Sequence, residues 1–513
     1  EQLQIDTASA LQLQFKDNLL KGVNVVTGKT VEGKTFTAIP YYAVGNRTAK
    51  GYKVWLPLPQ NARIKVDVGQ IQNKLSPLIY GSNIEDVNHE IYGGFYDQRI
   101  FGESFEEPST GVNHNQWKRF TGYWTAKDGA VAIIPGRNTN SEVFMTSSHL
   151  IGIEPDHSAK LIYEPKELTN GTVQAEIRFT GKGESGALLV RVANAGVGDD
   201  AFDGYEISLS RDGKKIALGK HLQNFESLKE AAASFDPETW NKVKVVLKGS
   251  EIEVSLNGQQ MLSFKDDRNP LLKGKIGLRT WRSAMEFRNV TILENGKTEP
   301  LRLVNAANEQ VSYNWDIIRS GQVKANFELD SNVAYNGKKS QVITFATGTG
   351  KVGVATRSLN RWGIALRKGQ TFQGRVYLKA EKLNGPVSIA LESADGSKTY
   401  AIKKLNGIGA NWKKYPFTLT SNVADKNARL AIYISSHGKL WIDQAVLMGT
   451  GKDQFKGLPI RADIGNMLVS QGLTFLRYAG TMVNSAEYKF KKMIGDPDKR
   501  PPYRGPWNWY TTN

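Results

Sequence analysis

Residues 240–266 read WNKVKVVLKGSEIEVSLNGQQMLSFKD, and three runs within this stretch alternate apolar and polar side chains. Alternation with a period of two is typical of a β-strand that buries one face and exposes the other. The runs are separated by KGSE and LNGQ, where glycine or asparagine permits the tight turn of a β-hairpin. The stretch therefore predicts an antiparallel meander of three strands.

The same pattern continues on both sides of this meander. Further alternating runs are TVQAEIRFTG (172–181), GALLVRVAN (186–194), GYEISLSRDGKKIALGKH (204–221) and GKIGLRTWRSAMEFRNVTIL (274–293). Asp-Gly within SRDGKK is a strong hairpin signal because both residues tolerate the backbone angles of the turn. We predict an antiparallel β-sandwich over residues 111–297.

A second all-β unit is predicted over residues 298–455. Its strongest strand patterns are SQVITFAT (340–347), TFQGRVYLKA (371–380), ARLAIYISS (428–436) and KLWIDQAVLM (439–448). The chain length favours three or four domains, since single cores rarely grow beyond about 250–300 residues. We expect a mainly β, multidomain protein with two antiparallel β-sandwiches or jelly rolls.

The flanks of this region have a different character. In residues 67–110, the run PLIYGSNIED (77–86) is apolar and ends in carboxylates, as does the first strand of a (β/α)8 barrel. In residues 456–513, a short amphipathic helix is predicted before the strand TFLRYAG (474–480). The apolar positions of that helix are Ile460, Ile464, Met467, Leu468 and Leu473. Residues 1–66 predict a separate short β-segment.

Composition narrows the classes of protein and site. The chain has no cysteine, which excludes disulfides, thiolate nucleophiles and cysteine metal sites. No apolar run reaches the about 18 residues that span a bilayer, so no membrane span is expected. The net charge is +17, but the basic residues are scattered, and we do not expect nucleic-acid binding. Attraction to an acidic polysaccharide stays open as an explanation.

The two flanks resemble the catalytic barrel of family 51 α-L-arabinofuranosidases. The matching stretches are LIYGSNIEDVNHEIYGGFY (78–96), SFEE (104–107), LRYAGTMVN (476–484) and KKMIGDPDKRPPYRGPWNWYTTN (491–513). The resemblance implies fragments of a (β/α)8 barrel, with the β-sandwiches inserted in one of its loops. It also implies that the chain stops about two strands into the barrel.

This resemblance implies three substrate-binding residues and no catalytic one. Glu85 matches a carboxylate that binds arabinose hydroxyls, Arg477 matches an arginine that orients the nucleophilic glutamate, and Trp507 matches a wall of the sugar site. Both catalytic glutamates would lie further downstream, on later strands. The Asn308-Glu309 pair lies in a predicted linker and is not expected to be the acid/base. Met482 departs from the asparagine common in the family, which puts sugar specificity in doubt.

Three other stretches resemble modules found in glycosidases. Residues 111–297 are similar to laminin-G or concanavalin-like sandwiches. Residues 298–455 are similar to galactose-binding-like modules of carbohydrate-binding families 4 and 9, through AYNGKKSQVI (334–343) and KLWIDQAVLM. Residues 15–60 resemble the tail of family 127 β-L-arabinofuranosidases, through LLKGVNVV (19–26) and AIPYYAVGNRTAKGYKVWLPL (38–58).

Exposed aromatic side chains are the expected sugar contacts of such modules. Trp315 in SYNWD and Trp362 in LNRWG are the preferred candidates because each lies beside a polar loop, and Tyr335 is a third. Trp281 lies between two arginines and could form a sugar platform or a cation–π stack. Core packing is the alternative for each of them, since sandwiches bury large rings.

These inferences lead to one expected function and its alternatives. The chain is expected to be the non-catalytic N-terminal part of an α-L-arabinofuranosidase-like glycoside hydrolase that acts on arabinose-containing plant polysaccharide. A stand-alone carbohydrate-binding or adhesin-type protein is the alternative, and a basic structural protein that binds acidic polymers is a third. No cofactor and no metal site are expected, although structural calcium stays open. A second polypeptide completing the barrel and a secreted, periplasmic or cell-surface location are further expectations.

Overall fold

The structure is a computed structural model in which the chain divides into two compact units, Glu1–Ser76 and Pro77–Asn513. It describes residues 2–5, 14–20, 23–29, 35–38, 44–48, 51–55, 69, 74, 76–85, 91, 93–121, 124–133, 158–196, 198–478, 488–501, 503–504 and 510–511.

The first unit contains two small antiparallel sheets. Its strands are β1 (Gln2–Ile5), β2 (Gln14–Leu20), β3 (Val23–Lys29), β4 (Thr35–Ala38), β5 (Val44–Thr48) and β6 (Gly51–Trp55). One sheet has the order β1-β6-β5 and the other β2-β3-β4. The short β-segment predicted for residues 1–66 is therefore built of hairpins, while its likeness to family 127 enzymes stays a prediction.

The second unit opens with β7 (Gly81–Ile84) and then forms a β-sandwich. The strands of the sandwich are β8 (Trp117–Thr121), β9 (Trp124–Lys127), β10 (Ala130–Ile133), β11 (Ser158–Leu168), β12 (Gly171–Phe179), β13 (Ser185–Ala193), β14 (Asp203–Ser210), β15 (Lys215–Leu222), β16 (Phe225–Ala232), β17 (Asn241–Lys248), β18 (Glu251–Leu256), β19 (Gln259–Lys265), β20 (Gly274–Trp281), β21 (Met285–Glu294) and β22 (Lys297–Pro300).

These strands form two facing sheets around one core. The seven-stranded sheet has the order β16-β15-β14-β13-β20-β11-β8, and the eight-stranded sheet has β19-β18-β17-β12-β21-β10-β9 with β22 beside β21. The predicted meander of residues 240–266 forms β17, β18 and β19, and buried and exposed positions alternate along β17. Burial of alternate apolar side chains between the sheets is what stabilises this arrangement.

A second sandwich follows, and its core is separate from that of the first. Its strands are β23 (Asp316–Asp330), β24 (Ser340–Thr356), β25 (Ile364–Leu366), β26 (Thr371–Glu381), β27 (Val387–Glu392), β28 (Thr399–Leu405), β29 (Lys413–Thr420), β30 (Asp425–Ile434) and β31 (Gly438–Gly449). The main strand order is β28-β27-β30-β24-β31-β26-β29, with β23 beside β24 and β25 beside β30. The expectation of a mainly β, multidomain protein is confirmed.

One segment lies elsewhere than the sequence indicated. Ile100 and Phe105, which fall in the stretch assigned to the start of a barrel, are fully buried in the core of the second sandwich. The backbone of this segment joins the sandwich as well, since Arg99 N donates to Leu447 O at 2.8 Å and Ala445 N donates to Glu103 O at 2.8 Å. The segment therefore covers an edge of the second sandwich.

The last part of the unit has the α/β character that the sequence predicts. The helix α1 (Ala462–Ser470) precedes β32 (Phe475–Tyr478), and two short strands, β33 (Tyr503–Arg504) and β34 (Tyr510–Thr511), pair near the end. β32 pairs in parallel with β7, with Phe475 opposite Gly81 and Tyr478 opposite Ile84. A parallel pair joined by a long connection is the basic unit of an α/β barrel.

Candidate functional site

Two of the three residues assigned to the arabinose site, Glu85 and Arg477, lie where the two parallel strands end. Glu85 directly follows β7 and accepts a hydrogen bond from Asn83 Nδ2 at 3.2 Å. Arg477 lies on β32 directly opposite Asn83 and is exposed. Glu85 and Arg477 therefore lie at the same end of two paired parallel strands, the C-terminal end. Trp507 lies outside the described residues, and the sugar-binding roles of all three stay predictions.

Trp315 is not a surface residue, which corrects its assignment as a sugar contact. Its side chain is 1% exposed, and its indole Nε1 donates to Gly102 O at 2.8 Å. The ring stacks on Phe105 with centroids 4.7 Å apart. The polar residues around Trp315 suggested a loop, but the segment that contains Phe105 covers the ring and makes it part of the core.

The other two aromatic candidates of the second sandwich have different environments. Trp362 is 52% exposed and follows a short 3-10 turn, Leu359–Arg361, so its ring is accessible. Tyr335 is half-buried and stacks on Tyr377 with ring centroids 3.6 Å apart. Trp362 therefore stays the better candidate for stacking on a sugar ring.

Trp281, at the end of β20, forms the cation–π stack that was one of its two expected roles. The guanidinium carbons of Arg279 and Arg282 lie 5.2 Å and 5.5 Å from its ring centroid. The indole Nε1 donates to Glu184 Oε2 at 3.0 Å, which fixes the orientation of the ring. The ring is half-buried, so part of its surface remains accessible.

Beneath Trp281, the seven-stranded sheet carries a buried network of charged side chains on its outer face. Arg279 donates from Nη1 to Glu206 Oε2 at 2.6 Å and from Nη2 to Asp200 Oδ1 at 3.0 Å. His221 Nε2 lies 2.9 Å from the same Glu206 oxygen. Arg279, Glu206 and His221 are each at most 5% exposed at the side chain, whereas Asp200 is 35% exposed. We call these four residues the outer-face network.

The alternation of the strands explains why this network faces outward. Leu161, Leu278 and Ile207 point into the sandwich core, so their neighbours along the strands point to the opposite face. Arg279 on β20 and Glu206 on β14 are separated by β13, a span of roughly 10 Å between backbones. Arginine is long enough to bridge that span, and it passes over Ala187, its small neighbour on β13.

Electrostatics fix the charge states in the network. Burial opposes ionisation of Glu206, but Arg279 and the hydrogen bond with His221 outweigh it and hold the pKa of Glu206 below its usual value. Lys160 lies directly opposite Arg279 on β11. Burial and the neighbouring Arg279 charge lower the pKa of Lys160 to about 8. Glu206 is therefore a carboxylate at neutral pH, and Lys160 releases its proton more easily than an exposed lysine.

Aromatic rings complete the surroundings of the network. The imidazole of His221 stacks on Phe202 with centroids 4.0 Å apart and lies 5.2 Å from the ring of Phe225. Phe225 itself is 48% exposed. The outer face thus offers two accessible rings, Trp281 and Phe225, and the partly exposed carboxylate of Asp200, next to the buried charged residues of the network. Rings that stack on sugar rings, and carboxylates that accept hydrogen bonds from sugar hydroxyls, are groups with which proteins bind sugars.

Sequence reasoning found Trp281 but missed the network below it. The available signal was a charged side chain within each of several apolar strands, such as Lys160 in SAKLIY and Arg279 in GLRTW. Such a charge is rarely buried unless it is paired. Which strands are neighbours, and therefore which charges pair, follows only from the sheet order.

Two other expectations concern metal ions and membranes. Within the described part of the chain, no group of three or more His, Asp or Glu side chains is placed to hold a metal ion, and structural calcium stays an open expectation. Among the same residues, no helix is long and apolar enough to cross a membrane.

Parts of this chain are similar to known proteins. The model of a 3-keto-alpha-glucoside-1,2-lyase-like domain matches residues 103–293, which include β8 to β20, nearly all of β21 and the outer-face network. Alpha-L-arabinofuranosidase 1 of Arabidopsis thaliana is 25% identical over 182 residues, covering 34% of this chain and 26% of the relative. The expected resemblance to α-L-arabinofuranosidases is therefore confirmed over part of the chain. The matched part spans about a quarter of that relative's length.

Solved structures show likenesses of the same kind. An arabinose-bound family 51 α-L-arabinofuranosidase is 19% identical and covers 39% of this chain and 34% of its own, with a TM-score of 0.34. The family 66 carbohydrate-binding module from Bacillus subtilis is 16% identical and covers 36% of this chain and 97% of its own, with a TM-score of 0.28.

Proposed function

We propose that this chain is the carbohydrate-binding part of an α-L-arabinofuranosidase-like glycoside hydrolase, with arabinose-containing plant polysaccharide as its ligand. The coarser role, glycoside-hydrolase-like or carbohydrate-binding, is supported by the similarity to Alpha-L-arabinofuranosidase 1 and by the family 51 and family 66 structures. The identity of the sugar and a secreted or cell-surface location are parts of the proposal.

The observation that carries the proposal is the position of Trp281. Its ring is oriented by the bond to Glu184 and by two guanidinium groups, and it stays partly accessible on the outer face of a sheet. Pre-orientation lowers the entropy lost when a ligand binds. A sugar ring stacked on Trp281 would also reach Asp200, which Arg279 holds in place at 3.0 Å.

The catalytic part of the proposal concerns the two parallel strands. Glu85 and Arg477 lie at one edge of β7 and β32, and the side chains of β32 are exposed. A retaining glycosidase needs two carboxyl groups about 5–5.5 Å apart. We propose that further barrel strands supply this pair, and that arabinofuranosyl hydrolysis requires them together with the residues at β7 and β32.

Titration calorimetry with a linear arabino-oligosaccharide tests the binding role. The variant Trp281→Ala should weaken binding by about 1–3 kcal/mol if the ring stacks on the sugar, a loss like that of other aromatic stacking platforms.

Trp240 provides a matched control on the opposite sheet. It is also half-buried and also lies between two arginines, with Arg178 and Arg288 4.5 Å and 4.1 Å from its ring centroid. Trp240→Ala should leave the affinity unchanged. Equal losses in the two variants, or none in Trp281→Ala, would remove the basis of the proposal.

A further inference from the structure

One cavity outside the sites described above lies between the second sandwich and the start of α1. Its volume is about 660 Å³, within the range of about 300–1,000 Å³ that is usual for ligand pockets. One wall is formed by β25 and the turn before β30, and the other by the segment that leads into α1. We call this space the α1 cavity.

The lining of the α1 cavity is rich in cations. Five lining side chains are basic and three are acidic, which leaves an excess of two positive charges. The basic residues are Arg99, Arg367, Lys426, Lys452 and Arg461. The lining is therefore basic on balance, and a cleft with an excess of one sign of charge attracts ions of the other sign.

The acidic residues of the lining already have partners. Asp453 accepts from Arg367 Nη2, and Asp463 accepts from Arg461 Nη2 at 2.6 Å. Asp425 accepts from the hydroxyl of Tyr400 at 2.8 Å. Their charges are therefore engaged by groups of the protein.

The three arginines of the lining are also paired, Arg99 with Asp97, Arg367 with Asp453 and Arg461 with Asp463. Arg367 remains 66% exposed at the side chain while it holds Asp453, and a guanidinium has five N–H donors to offer. Among the residues that the structure describes, Lys426 and Lys452 form no ion pair, and both are exposed. The cavity thus presents unneutralised ammonium groups beside a partly occupied guanidinium.

An accessible aromatic ring lies close along the chain to this cavity. Trp362 comes three residues before Ala365, which lines it, so the two are within roughly 10 Å if the chain between them is extended. Gly363, next to Trp362, also abuts Asn427: a Cβ on Gly363 would lie 2.4 Å from the Asn427 Cα. Asn427 is the chain neighbour of Lys426, so the backbone next to Trp362 lies against the strand that carries Lys426.

We propose that the α1 cavity binds the carboxylate of an acidic sugar residue, a uronate, in an oligosaccharide whose neighbouring ring reaches Trp362. The inference rests on the proposed carbohydrate-binding function and assigns it a second ligand class and a second site. Lys426 and Lys452 supply the charge, and Arg367 supplies planar donors that match a carboxylate. The α1 cavity borders the second sandwich and Trp281 lies on the first, so the two proposed sites are separate.

Titration of the 513-residue chain with trigalacturonate tests the inference. The double variant Lys426→Ala/Lys452→Ala should weaken binding at least about fivefold at low salt, because two unscreened charges are lost. Raising the salt from about 0.1 M to about 1 M shortens the screening length from about 10 Å to about 3 Å and should remove the difference. Charge reversal in Lys452→Glu should weaken binding further than neutralisation of that lysine.

The control variant is Lys403→Ala/Lys404→Ala, which removes two exposed lysines from β28 of the same sandwich. It should bind trigalacturonate like the unchanged chain. An equal loss in both double variants would mean a diffuse charge effect and would overturn the site, as would unchanged binding in Lys426→Ala/Lys452→Ala. Arabinotriose, which has no carboxylate, tests the proposed function separately, since its binding should depend on Trp281 and not on these lysines.

Discussion

Asp498 connects the α/β segment to the second sandwich, and its replacement by alanine should release that segment. The residue lies in the turn Pro497–Lys499 and is fully buried. Its carboxylate accepts hydrogen bonds from Arg375 Nε at 2.5 Å, Lys414 Nζ at 2.6 Å and the Tyr377 hydroxyl at 3.0 Å. All three donors lie on β26 and β29, more than 80 residues earlier in the chain.

The size of the effect follows from the burial of the partners. Removing one member of a buried ion pair costs about 3–5 kcal/mol, because the other charge is left buried without it. Lys414 is 46% exposed and Arg375 is 21% exposed, so solvent compensates in part. We therefore expect the lower end, about 3 kcal/mol, which corresponds to about a hundredfold in the opening equilibrium.

Hydrogen–deuterium exchange with mass spectrometry measures this opening in residues 488–501. Asp498→Ala should accelerate amide exchange there about a hundredfold and leave β17 and β18 unchanged, since local opening does not require global unfolding. Asp496→Ala is the matched control. Asp496 is exposed and only caps the turn, accepting from Asp498 N at 3.1 Å, so about 1 kcal/mol is expected. Exchange in Asp498→Ala no faster than in Asp496→Ala would refute the reasoning.

The same contact has a defined pH dependence. Burial opposes ionisation of Asp498, but Lys414 and Arg375 outweigh it and lower the pKa of the carboxyl below its usual value. A lowered pKa in the folded state means that the contribution is present above the unfolded value of about 4 and is lost as the pH falls below it. Acid should thus release residues 488–501 in the unchanged chain and have little added effect in Asp498→Ala.

Three further predictions concern single side chains. Burial and the nearby Glu103 raise the pKa of Glu107 to about 7. The stabilising effect of the protonated carboxyl is therefore complete below about pH 4.5 and is lost as the pH rises to about 7. In Glu107→Gln, the thermal unfolding midpoint should depend less on pH over that interval. Arg279→Gln should raise the pKa of Lys160 above about 8, read from the Nζ resonance by NMR titration, and an unchanged value would contradict the assigned cause. Trp315→Ala should cost about 3–5 kcal/mol of stability and Trp362→Ala less than about 1 kcal/mol, measured by denaturant unfolding; equal costs would mean that the ring of Trp315 is not in a core.

Much of the fold was accessible from local pattern. The hairpin predicted at SRDGKK joins β14 to β15, which end at Ser210 and begin at Lys215. The amphipathic helix and the strand TFLRYAG appear as α1 and β32. The period-two pattern identifies a strand such as β17 because one face packs in the core and the other contacts water. In α1 and β32 the apolar side chains Met467 and Phe475 are exposed, so the pattern there gives the element but not a buried face.

Features that local pattern does not predict depend on contacts between segments that are distant along the chain. The polar neighbours of Trp315 predict a loop residue, whereas the backbone of Gly102 accepts its indole N–H across 213 positions of the chain. The pairing of Arg279 with Glu206 likewise spans 73 positions and two strand intervals. Alternation assigns a side chain to a face of a strand, but only the order of strands decides which other side chain it meets.

The central claim, that the outer face at Trp281 binds sugar, is tested most directly by NMR of the indole N–H groups. On addition of an arabino-oligosaccharide, the Nε1 resonance of Trp281 should shift, because its hydrogen bond to Glu184 lies at the edge of the proposed site. The resonance of Trp240, which lies beside the opposite sheet, should stay in place. A stationary Trp281 signal at concentrations of sugar that saturate the chain would contradict the account.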